Sequence, residues 1–235
     1  MSNKSTYEPK KHNPISTSLK FSFHITYIFL LTTATITFIE ALRSPNSTVR
    51  HVLNLETAIS LIAGYFYSIF LEKIASYEKG NNQINWGEIT RLRYTDWSMT
   101  TPLMLLALSL TLSNNIGKNV PLSVIIVIFG LNYMMLYIGY LGETHTIEKW
   151  KACILGFIPF FAMFGIIFKK FVLPIYKLSN YVLFTIFTLV WSLYGIVYMF
   201  NELNKNIITN ILDCFAKCWF GLGLWAYFSK IIVLK

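Results

Sequence analysis

The 235-residue chain is 54% hydrophobic and only 13% charged, with a formal net charge of +9. A soluble domain carries roughly 25% charged residues, so the composition argues against an ordinary soluble enzyme and moves the explanation of the positive charge from nucleic acid to membrane topology. Cys153, Cys214 and Cys218 all fall in apolar runs and read as small packing residues, not as a disulfide framework.

In chain order, residues 1–17 form a polar stretch without the basic, apolar and small-residue order of a signal peptide. They read as a flexible extracellular tail. Residues 18–235 form one transmembrane domain. Apolar runs follow at about 21–42, 53–74, 91–113, 121–141, 152–171, 179–200 and 207–233. Helices of ~20 residues at ~1.5 Å rise cross a ~30 Å hydrocarbon core. Runs this long exceed barrel strands, so the predicted fold is an all-α bundle of seven transmembrane helices. Breakers mark the joints: Ser44-Pro45-Asn46, Lys79-Gly80-Asn81-Asn82, Asn114-Asn115-Ile116-Gly117 and Pro174.

The loops after spans one, three and five carry Arg43, Arg50, Lys118, Lys169, Lys170 and Lys177 without an acid, whereas the opposite loops mix both signs. The positive-inside rule then puts the N-terminus outside and the C-terminus in the cytoplasm. The lysines of the N-terminal tail, Lys4, Lys10, Lys11 and Lys20, weigh the other way.

Ionisable residues inside a span are costly and mark function by default. Glu56, Asp96, Asp213 and Lys217 lie well inside spans, with Arg93 one turn from Asp96. Lys217 is too deep to snorkel, and Asp213 at i−4 shares its helix face. Two readings of this pair stay open on spacing alone. One is a structural ion pair. The other is a lysine nucleophile that forms a Schiff base with a carbonyl ligand. In the third span, positions 93, 96, 97, 100, 101, 104 and 107 share one face of about 140° at ~100° per residue. Pro102 removes one backbone donor there.

Arg93-Tyr94-Thr95-Asp96-Trp97 with Thr100-Thr101-Pro102 resembles the third helix of the microbial (type I) rhodopsins. Leu212-Asp213-Cys214-Phe215-Ala216-Lys217 resembles their seventh helix, Trp191-Ser192-Leu193-Tyr194 their sixth, and the stretch Met134 to Glu143 the fourth helix of the proteorhodopsin branch. The segment Leu55 to Ala63, with Arg50 before it, is most similar to virus-encoded rhodopsins.

The resemblance implies that Lys217 binds all-trans retinal as a protonated Schiff base. Asp96 is then primary counterion and proton acceptor, Asp213 the second counterion and Arg93 the outer gate. Tyr94, Trp97, Thr100, Thr101, Met104, Asn132, Met135, Gly139, Trp191 and Tyr194 are implied as cofactor-binding residues. Trp97 and Trp191 would sandwich the polyene. Met104, apolar at the colour-tuning position, implies green absorption. Thr101 and Asn132 are expected to share a hydrogen bond between the third and fourth helices.

Two departures stand out. Ala107 occupies the place where proton pumps of this family usually carry a donor carboxylate, and Ala107 holds no proton. Glu56, three residues inside the second span on the inner half of the bundle, is the candidate replacement donor; the other reading is an interfacial glutamate paired with Arg50 or His51. Second, the histidine that many proteorhodopsins place beside the counterion is missing, and the region reads Tyr65-Phe66-Tyr67.

The leading function is a light-driven outward proton pump, followed by a light-gated cation channel and then a photosensory receptor; an enzyme is not expected. The partners implied are membrane lipid, a proton or another cation, and copies of the chain in a homo-oligomer, a pentamer before a trimer, in a cell or host-cell membrane. Neither nucleic acid nor metal is expected.

Overall fold

The computed structural model describes residues 15–232, so most of the expected tail, with Lys4, Lys10 and Lys11, lies outside the described residues, as does Lys235. Every regular element among the described residues is helical. The helices are α1 (Thr17–Arg43), α2 (Ser47–Lys79), α3 (Trp86–Asn115), α4 (Leu122–Glu143), α5 (Lys149–Val172), α6 (Leu178–Val197) and α7 (Glu202–Phe228). Six are long and apolar enough to cross a membrane. The exception is α3, whose 30 residues include Glu88, Arg91, Arg93 and Asp96.

The joints form for local reasons. Asn46 opens α2 by accepting from the backbone N–H of Thr48 and Val49 at 2.9 and 3.2 Å. Asn85 caps α3 through Glu88 N–H at 3.2 Å, and Asn201 caps α7 through Asn204 N–H at 2.9 Å. These side chains satisfy donors that the first helical turn leaves without partners. Gly117 takes φ 64° in the α3–α4 turn, a conformation that glycine adopts without strain. The helices overrun the apolar runs at several ends; α2 continues through Lys79, and its polar final turns pair with neighbouring helices, Glu78 with Lys20 of α1 and Lys73 with Glu88 of α3, each at 2.7 Å.

Two wide turns interrupt regular α geometry. Phe168–Val172 ends α5 as a π-helical segment, and Cys214–Trp219 forms another in the middle of α7. Hydropathy carries no sign of either. Such segments occur mostly at functional sites, and the second contains Lys217.

Apolar side chains cover the perimeter, with Leu42, Tyr65, Tyr137, Phe161 and Leu189 well exposed. Polar and charged groups lie inside: Glu56, Arg93, Asp96, Asn132, Asn180, Asn210, Asp213 and Lys217 are all buried. This distribution suits a chain surrounded by hydrocarbon, since lipid solvates leucine and does not solvate a carboxylate.

Candidate functional site

The site begins with two helices. On α7, polar residues recur every three or four positions: Glu202, Lys205, Asn206, Thr209, Asn210, Asp213 and Lys217. That spacing keeps them on one face. On α3, Arg93 and Asp96 face them from across the bundle. Lys217 Nζ lies 2.7 Å from Asp96 Oδ2 and 3.9 Å from Asp213 Oδ2, with side chains at most 1% exposed. Two carboxylates and two cations thus share a buried centre, since Arg93 Nη1 lies 3.4 Å from Asp213 Oδ2. A buried ion persists only when paired and hydrogen-bonded, and this arrangement supplies both.

The two aspartates are held differently. Asp213 accepts from Tyr67 Oη at Oδ2 and Tyr194 Oη at Oδ1, both at 2.7 Å. Asp96 has only the lysine on Oδ2, and its Oδ1 has no protein partner. Asp213 is therefore anchored, while Asp96 keeps acceptor capacity beside the lysine nitrogen. Arg93 is fixed by Asn210 Oδ1 at 2.8 Å and Asn206 Oδ1 at 3.2 Å, and its guanidinium carbon stands 5.0 Å from the Phe70 ring centre.

A cavity of about 150 Å³ opens beside Lys217, at least about ten times the ~10–15 Å³ that one water needs on the same measure. Its walls include Tyr94, Trp97, Thr101 and Met104 from α3, Met135 and Gly139 from α4, and Trp191 and Tyr194 from α6. Thr100 and Asn132 stay outside this wall. The Thr100 hydroxyl turns back to the Asp96 carbonyl at 2.9 Å, and Asn132 Nδ2 donates to Thr101 Oγ1 at 2.9 Å. Trp97 and Trp191 both border the cavity. At the end near the start of α7, Lys205 Nζ pairs with Glu143 at 2.7 Å and Glu202 at 2.8 Å.

Glu56 is 1% exposed. No ion pair reaches it among the described residues, and Arg50 and His51 are exposed. The carboxyl leans on α7 instead: a Cβ built on Gly221 would stand 2.9 Å from Glu56 Oε2. Gly221 is one turn beyond Lys217, ~6 Å along the axis, so Glu56 stands closer to the lysine level than Ala107 does to Asp96 along α3.

Sequence reasoning missed Tyr67, Asn206 and Asn210. The asparagines carry a legible signal, because they continue the three-and-four spacing that leads to Asp213. Tyr67 carries none, being one of 14 tyrosines in an aromatic-rich chain.

The cavity also answers whether an aldehyde chromophore fits. An amine is the side chain that condenses with an aldehyde, and Lys217 presents one at the end of a mostly apolar chamber walled by tryptophan, tyrosine and methionine. The residues present fit retinal: Lys217 would hold it and these side chains would flank it.

Residues 17–231 match the family model described as bacteriorhodopsin-like protein. The chain is 43% identical to a viral rhodopsin, OLPVRII, whose crystal structure superposes with a TM-score of 0.83 over 92% of this chain and 99% of that one. It is 26% identical over 151 residues to a green-light absorbing proteorhodopsin of Gamma-proteobacterium EBAC31A08, a match spanning 58% of this chain and 60% of that protein's length. The proton pumping rhodopsin AR2 of the marine alga Acetabularia acetabulum shares the fold, with 22% identity and a TM-score of 0.74 over 93% and 97% of the two chains. The chain belongs to the bacteriorhodopsin-like family of microbial rhodopsins, whose members carry retinal.

Proposed function

We propose that the protein is a light-driven outward proton pump that carries all-trans retinal on Lys217. The observation that supports this most is the 2.7 Å contact between Lys217 Nζ and Asp96 Oδ2, with Asp96 Oδ1 free of protein partners. When bound, retinal supplies light absorption and an isomerisation that reorients the nitrogen. The rest falls to the chain. Asp96 takes the proton from the lysine nitrogen across one hydrogen-bond distance. Asp213, pinned by Tyr67, Tyr194 and Arg93, is the second counterion. Arg93 closes the route between this centre and the end of the bundle where α1 begins.

Glu56 is the proposed internal donor. Without a cation beside it, a neutral carboxyl is the form a buried site tolerates, and such a group holds a proton for delivery. Direction follows from topology. The inner loops carry the excess of arginine and lysine, which puts Glu56 on the cytoplasmic half and Arg93 on the outer half, with residues 1–17 an extracellular tail. The protein then sits in a cell or host-cell membrane. A pentamer is the proposed assembly, by analogy with the virus-encoded group that the segment from Arg50 to Glu56 resembles.

A light-gated cation channel is the second reading, favoured by one observation: Ala107 leaves α3 without a donor while a glutamate stands between α2 and α7. Current measured against voltage in illuminated cells separates the two. A pump drives outward current without reversal near the ion equilibrium potentials, and acidifies the medium. A current that reverses where the cation gradient dictates refutes the pump. Illumination with neither current nor pH change refutes both in favour of a photosensor.

A further inference from the structure

Serine and threonine hydroxyls in helices commonly bond to the carbonyl one turn back. Thr37, Thr57, Thr100, Thr101 and Thr111 do so here, at 2.6 to 2.9 Å. Thr33 on α1 and Ser60 on α2 do not. Both are 0% exposed, and neither hydroxyl has a protein partner; Glu56 Oε1 lacks one as well. Ser109 and Thr188 are likewise without partners, but Thr33 and Ser60 are the two that flank Glu56. The same point on Gly221 lies 2.9 Å from Glu56 Oε2 and 3.3 Å from Thr33 Cγ2. Ser60 is four residues from Glu56 on the same face of α2, ~6 Å along the axis. It lies toward Tyr67 and Asp213, hence on the Lys217 side.

We infer that Thr33 and Ser60, bridged by water, are the relay that carries a proton from Glu56 to the Lys217 nitrogen between α1, α2 and α7. This rests on the reading of Glu56 as internal donor. A hydroxyl both donates and accepts, so it passes a proton without holding charge. Buried polar groups without protein partners are the usual seats of internal water. The step balances simply. The proton leaves Glu56, which becomes a carboxylate, the hydroxyls and water each accept one proton and give one up, and the nitrogen gains one. Glu56 is later reloaded from the inner solution. Along α3 the hydroxyls nearest Asp96, those of Thr100 and Thr101, are already bonded to their own backbone, and Met104, Ala107 and Leu108 follow as buried apolar residues. Gly221 is a positioning residue in this scheme, since any side chain there would press on the Glu56 carboxyl.

The test uses the full chain in lipid vesicles with Thr33→Val, Ser60→Ala, Ser60→Thr, Glu56→Gln, and Thr37→Val as a control for a hydroxyl that is already bonded. Valine is isosteric with threonine, which protects the fold. Flash absorbance reads the return of the proton to the lysine nitrogen. Infrared spectroscopy of the retinal-free protein reads the Glu56 carbonyl stretch, identified by its loss in Glu56→Gln. Removing one hydrogen-bonding hydroxyl is expected to slow the return about tenfold, the kinetic equivalent of ~1.4 kcal/mol. Azide, a small mobile acid, should restore the rate, as should Ser60→Thr. The carbonyl stretch should move in Thr33→Val and Ser60→Ala and stay put in Thr37→Val. If Glu56→Gln slows the return but Thr33→Val and Ser60→Ala leave rate and stretch unchanged, the relay is wrong and the donor stands. If Glu56→Gln leaves the rate unchanged, the donor reading fails and the relay fails with it.

Discussion

Replacing Asp96 with asparagine removes the nearest anion to the Lys217 nitrogen and little else. The lysine then keeps Asp213 alone, at 3.9 Å instead of 2.7 Å. Asp213 is already committed to Arg93 at 3.4 Å and to two tyrosine hydroxyls, so it compensates poorly. Breaking one partner from a buried ion pair typically costs ~3–5 kcal/mol. At ~1.36 kcal/mol per decade, the protonated-to-neutral ratio at the nitrogen falls roughly 10²- to 10⁴-fold. The assay is absorbance of the retinal-loaded protein against pH. In Asp96→Asn, the visible band should give way to a near-ultraviolet band at markedly lower pH than in the unmodified protein. An unchanged titration would refute the assignment of Asp96 as the primary counterion and, with it, the argument from distance.

The remaining predictions concern packing and the other ion pairs. Gly195→Ala places a methyl against the Phe157 ring, and such overpacking costs ~1–3 kcal/mol; thermal unfolding should show a lowered midpoint, with Gly156→Ala, whose nearest neighbour is 4.0 Å away, as the silent comparison. Asn180→Leu strips hydrogen bonds from the Leu112 and Phe171 carbonyls and from Asn115, whereas Asn132→Leu removes one bond to a Thr101 hydroxyl that still reaches Trp97 O. At ~1–3 kcal/mol per buried group left without a partner, Asn180→Leu should destabilise clearly more in the same unfolding assay. Lys205→Met leaves Glu143, 7% exposed, with Lys149 at 3.8 Å as its one remaining cation among the described residues; the loss of stability should be largely recovered in Lys205→Met with Glu143→Gln, and a double variant as weak as the single one would show that the pair is not what matters.

Much of the architecture was readable before any coordinates. Seven apolar runs became seven helices, because a segment surrounded by lipid must satisfy its own backbone and announces itself by length alone. The third helix shows the limit of that reading: Arg93, Asp96 and the serines and threonines around Pro102 leave it less apolar than the other six. The helix pair carrying Asp96, Asp213 and Lys217 was recognisable because charge is so rare in such a sequence that every instance is informative. The hydrogen bond expected between Asn132 and Thr101 forms at 2.9 Å, whereas Thr100, which the resemblance groups with the cofactor wall, turns its hydroxyl to the Asp96 carbonyl, a choice that helical spacing does not reveal.

The sequence by itself determined the class of fold, the number of crossings and the few charges that must find one another. Those follow from one-dimensional facts: run length, periodicity and the cost of charge in hydrocarbon. Only the tertiary structure decided how the charges are shared. It anchors Asp213 through Tyr67 and Tyr194 while leaving an Asp96 oxygen without a protein partner, and it seats Glu56 against Gly221 rather than against Arg50. These choices depend on which helices are neighbours and on where a missing Cβ leaves room, and such distances across the bundle are not written in the order of residues along any one helix.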